Sequence, residues 1–126
     1  MDELISRVTQ KTGLDQATAR KAIGLILGYL QKEGPQAEVN KLIEALPGAM
    51  DAIEQSKTGA SGGLMGMVGS MGGGVMALGG QLMGAGVSMG QMQPLGKELF
   101  ASVLEKAGED TMGTIMGSIP GLSQFV

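Results

Sequence analysis

The sequence predicts an all-α protein, a small helical bundle of two pseudo-twofold-related three-helix units joined by a Gly/Met-rich segment. Three observations lead there. Apolar residues recur at three- and four-residue spacing through both charged parts of the chain. Gly and Pro interrupt these stripes at helix-length intervals. The interruptions in the second part repeat those in the first.

Leu4, Ile5 and Val8 give the first helix a short apolar face, and Thr12-Gly13 ends it, because glycine accepts the left-handed conformation that closes a helix. Asp15 follows as an N-cap, a residue type whose side-chain oxygen can accept from free backbone N–H groups. Ala19, Ala22, Ile23, Ile26, Tyr29 and Leu30 keep the helical period until Gly34-Pro35. Val39, Leu42, Ile43 and Leu46 form a third stripe, ended by Pro47-Gly48, and a short fourth helix carries Met50 and Ile53.

The second unit repeats this order. A helix over Val75–Ala85 places Leu78 and Leu82 where Leu4 and Val8 stand in the first unit. Gly86-Val87-Ser88 matches Gly13-Leu14-Asp15. Leu99, Val103 and Leu104 continue a stripe that ends at Gly108, as Leu30 leads to Gly34. Met112, Ile115, Met116 and Ile119 then run to Pro120-Gly121, as Leu42 and Leu46 run to Pro47-Gly48. The expected division is residues 1–57 for the first unit, 58–74 for a linker and 75–126 for the second unit.

Residues 58–96 contain no charged residue and are dominated by Gly and Met. Four readings apply to them. The foremost is a linker that runs into the helix at Val75–Ala85, since a Gly/Ser-rich stretch such as Thr58-Gly59-Ala60-Ser61-Gly62-Gly63 is costly to order. Another is a longer buried helix through Leu64, Val68, Met71, Val75, Leu78 and Leu82. Its glycines would let backbones approach closely, but each costs about 1 kcal/mol against Ala, and Gly72-Gly73-Gly74 breaks it. A third is an adaptable Met-rich surface for a partner or for self-association. The last is a membrane segment, for which Leu, Ile and Phe are scarce.

Composition excludes much of catalysis. The chain has no Cys and no His, so disulfides, thiol chemistry and the commonest general base and metal ligand are missing. No catalytic residue, cofactor or metal site is expected. Gly96-Lys97 is followed by Glu98, so the phosphate-loop pattern lacks its hydroxyl. The carboxylate pairs Asp2/Glu3 and Glu109/Asp110 fit helix starts, where anions meet the positive end of the helix dipole. The net charge of −3 and the near absence of aromatic residues argue against nucleic acid. The acidic opening Met1-Asp2-Glu3-Leu4 is unlike a signal peptide and makes a cytoplasmic location the expectation, with export the alternative if a leader has been removed.

Two family resemblances complete the reading. Glu3-Leu4-Ile5-Ser6-Arg7-Val8, Lys11-Thr12-Gly13-Leu14-Asp15 and Ala19-Arg20-Lys21-Ala22 resemble the opening helical hairpin of the bacterial histone-like HU and integration-host-factor proteins. The strands and basic arm with which that family clasps DNA have no counterpart here, so DNA binding is not carried over. Gly13-Leu14-Asp15, Leu46-Pro47-Gly48, the Gly-rich middle and Gly86-Val87-Ser88 are similar in layout to small bacterial helical proteins of the VcgC/VcgE type. That likeness implies an all-helical fold and supplies no activity.

The expected function is therefore a non-enzymatic protein-interaction or self-association module. Met65, Met67, Met71 and Met76 are its candidate contacts, because a six-helix core needs them least. The alternative is a carrier of a small apolar ligand, with a cavity between the two units lined by Met76, Leu82, Met112 and Met116.

Overall fold

Amphipathic stretches closed by Gly or Pro give seven helices, and no strand, among the described residues of the computed structural model. Those residues are 2–59 and 75–119, with side chains described over 2–54 and 78–119. The helices are α1 (Asp2–Thr12), α2 (Gln16–Glu33), α3 (Gln36–Ala45), α4 (Ala49–Gly59), α5 (Val75–Ala85), α6 (Met89–Ala107) and α7 (Glu109–Ser118). The all-α expectation holds. The proposed linker residues 60–74, including Leu64 and Val68, lie outside the described residues, as do Pro120 and Gly121.

α2 is the centre of the bundle. Ala22, Ile23, Gly24, Leu25, Ile26 and Leu27 are all buried, so this stretch is covered on every side. Its most extensive neighbour is α4, and α5, α1 and α3 also pack on it. Ile53 of α4 sits beside Gly28, 3.7 Å from where a Cβ on that glycine would lie.

The two units cross over each other. α1 packs more extensively on α6 than on α2, while α5 packs more extensively on α2 than on α6. Each short opening helix therefore lies chiefly on the long helix of the other unit. α3 and α7 meet across the units as well. Helix lengths correspond: 11, 18 and 10 residues in α1–α3 against 11, 19 and 10 in α5–α7.

The turns before α2 and α6 share a positive-φ glycine but close differently: Gly13 N–H donates to the Thr9 carbonyl at 2.8 Å and Leu14 N–H to Thr12 Oγ1 at 3.2 Å. Gly13 and Gly86 both have positive φ, at 79° and 110°, which a residue with a Cβ adopts only with strain. Val87 N–H donates to the Leu82 carbonyl at 3.0 Å, and Gly86 N–H to the Met83 carbonyl at 3.1 Å, the paired bonds that close a helix in a Schellman motif. Gln91 ties the two turns together: its Oε1 accepts from Ser88 N–H at 3.0 Å, and its Nε2 donates to the Thr12 carbonyl at 2.9 Å.

Some local expectations are corrected. Asp15 occupies the N-cap of α2, but its exposed carboxylate makes no capping hydrogen bond. Thr58 and Gly59, assigned by composition to the linker, continue α4. α6 begins at Met89 and runs through Pro94. Proline in a helix interior costs about 3 kcal/mol; here it falls one turn from the start, where the freed carbonyl belongs to exposed Gly90. Met50 and Leu104, placed on apolar stripes by spacing, are exposed. On α4 the inward positions go to Ala49, Ala52 and Ile53.

Candidate functional site

α5 is held in place by two side chains. Leu78 and Leu82, one turn apart, are fully buried in the common core. Gly80, Met83 and Gly84 are exposed and Gly79 is half-buried. Met83 is 55% exposed, and Met89, at the start of α6, is 74% exposed. Exposed singly, such side chains are ordinary on a protein surface; Met83 is set apart by the exposed glycines, Gly80 and Gly84, that flank it on α5.

The glycines call for an explanation. Among the described residues, a Cβ built on Gly79, Gly80, Gly84 or Gly90 meets nothing within 4 Å. Gly34 is the contrast: a Cβ there would stand 2.7 Å from the Leu30 carbonyl oxygen and 3.0 Å from Val39 Cγ2. Space among the described residues therefore accounts for Gly34 and leaves the glycines of α5, like Gly113 and Gly117 of α7, without a packing reason there. In a helix interior each costs about 1 kcal/mol relative to Ala.

The matching helix makes the anomaly sharper. With Leu78 and Leu82 laid over Leu4 and Val8, the exposed Gly80 and Gly84 correspond to Ser6 and Gln10, and Met83 to Thr9. The inward faces of α1 and α5 share two buried aliphatic positions, but Gly79 stands where α1 buries Ile5. Their outward faces differ: polar or charged on α1, glycine and methionine on α5.

Of the methionines predicted as contacts, Met65, Met67 and Met71 lie outside the described residues. Met76 falls in the first turn of α5, with its side chain outside those described. Met83 and Met89 were missed. Their spacing fits an apolar stripe as well as a surface, and only tertiary packing tells the two apart. Met112 and Met116 are partly buried against the core, and Leu82 belongs to it.

A polar cluster forms where α1 crosses α6. Arg7 Nε lies 3.3 Å from Glu98 Oε2, and Arg7 Nη1 donates to Glu105 Oε2 at 3.1 Å and to Ser102 Oγ at 3.4 Å. Glu98, Ser102 and Glu105 share one face of α6 because they are four and three residues apart. The hydrogen bond to Glu105, with the negative charges of Glu105, Glu98 and Glu3, raises the Arg7 pKa above its ordinary value against some desolvation. The arrangement clips the two units together at the edge of the core. Beside it, Leu4, Leu46 and Pro47 line one side of a cleft of about 290 Å³ rimmed by Glu3, Arg7, Glu105 and Lys106. A second cleft, about 520 Å³, opens between Asp2, Ile5, Gln16, Ala17 and Arg20, where Arg20 Nη2 stands 3.8 Å from Asp2 Oδ1.

Asp2/Glu3 and Glu109/Asp110 lie in the first turns of α1 and α7, the dipole-favoured positions expected for them. Among the described residues, no group of three or more acidic side chains is placed to hold a metal ion, and no helix is long and apolar enough to cross a membrane. No protein-family model matches the chain, and neither a curated protein nor a solved structure matches it.

Proposed function

We propose that this protein is a non-enzymatic interaction module that associates with copies of itself through the outward face of α5. The observation that carries the reading is the exposed Gly80–Met83–Gly84 surface, on which the glycines fill no packing need among the described residues and the methionine is left in water. Glycine lets another backbone approach closely, and methionine adapts its shape to what it meets. The face itself carries no charged side chain, since it falls within the uncharged residues 58–96. A twofold pairing would set Met83 of each copy against glycines of the other, a self-complementary contact.

The carrier reading has less support. Leu82 is taken up by the core, and the cleft between α1 and α6 is rimmed by charged side chains.

Light scattering in line with size exclusion, over a concentration series, tests the proposal on the full chain. The wild type is expected to gain mass toward a defined oligomer as concentration rises. Met83→Glu puts two like charges at the contact and is expected to remain a folded monomer, with an unchanged helical circular dichroism spectrum. A wild type that stays monomeric throughout, or a variant that associates as well as the wild type, would overturn it.

A further inference from the structure

We draw no further inference here: the strongest candidate outside the α5 face, the cleft beside Arg7 and Ser102 where α1, the Leu46-Pro47 turn and α6 meet, carries nothing, because Arg7, Glu98, Ser102 and Glu105 already satisfy one another and no buried side-chain polar atom among the described residues is left unpaired to receive a ligand.

Discussion

Gly34 and Gly28 both lie beside buried side chains, yet they answer differently to an added methyl group. At Gly34 the methyl would press on the Leu30 carbonyl and on Val39, and Ile119 Cδ1 lies 3.5 Å away on the far unit. Gly34→Ala is expected to destabilise the fold by about 1–3 kcal/mol, the usual cost of overpacking. At Gly28 the nearest atom stands at 3.7 Å, an ordinary contact, and the helix gains from alanine. Gly28→Ala is expected to be neutral or stabilising. Urea unfolding of the two variants side by side checks the pair, and equal losses would contradict the packing described around Gly34. Tyr29 offers a second test at this scale. Burial, helped by the charge of Glu33, raises its pKa above the ordinary 10.0. Because the folded state holds the proton more tightly, the associated stability is fully present below pH 10 and is lost as pH rises through the folded-state value. With one Tyr and no Trp in the chain, ultraviolet titration reads this group alone. The midpoint should lie above that of the same protein in denaturant, and coincident midpoints would contradict the burial.

At the scale of elements, α5 combines a good anchor with a poor helix. Leu78 and Leu82 fix it to the core, each burial contributing about 1.5–3 kcal/mol. Its glycines work against helix formation in the isolated monomer. Gly80→Ala and Gly84→Ala are each expected to raise monomer stability by about 1 kcal/mol, measured by denaturant unfolding at low protein concentration, while weakening association at high concentration. A loss of monomer stability would mean that these positions are packed after all. Helix ends were largely legible in the sequence because Gly and Pro act locally: Gly13, Gly34, Pro47 and Gly108 all fall where helices stop. Much of the candidate surface was not. Whether Met83 points into a core or into water depends on which neighbour covers α5, and periodicity holds no information on that. The same limit hid the Arg7 cluster, whose partners Glu98 and Glu105 stand on α6, far along the chain from α1. Pro94 lies inside α6, where the burial of Leu95, Leu99 and Val103 behind it outweighs a local breaker.

At the scale of the whole molecule, two units of matching helix lengths share one core by crossing their opening helices. Each unit supplies part of the other's packing, so the core resists change on both sides while the outer faces are free to differ. The outer face of α1 is polar, and the corresponding face of α5 is apolar and small; that asymmetry is why we assign association to the second unit. The most direct test is methyl NMR on protein labelled at methionine, followed from micromolar to millimolar concentration. The account predicts that the Met83 methyl signal shifts or broadens as concentration rises while those of the half-buried Met112 and Met116 stay in place. A stationary Met83 signal at millimolar concentration, or movement confined to Met50 on α4, would contradict it.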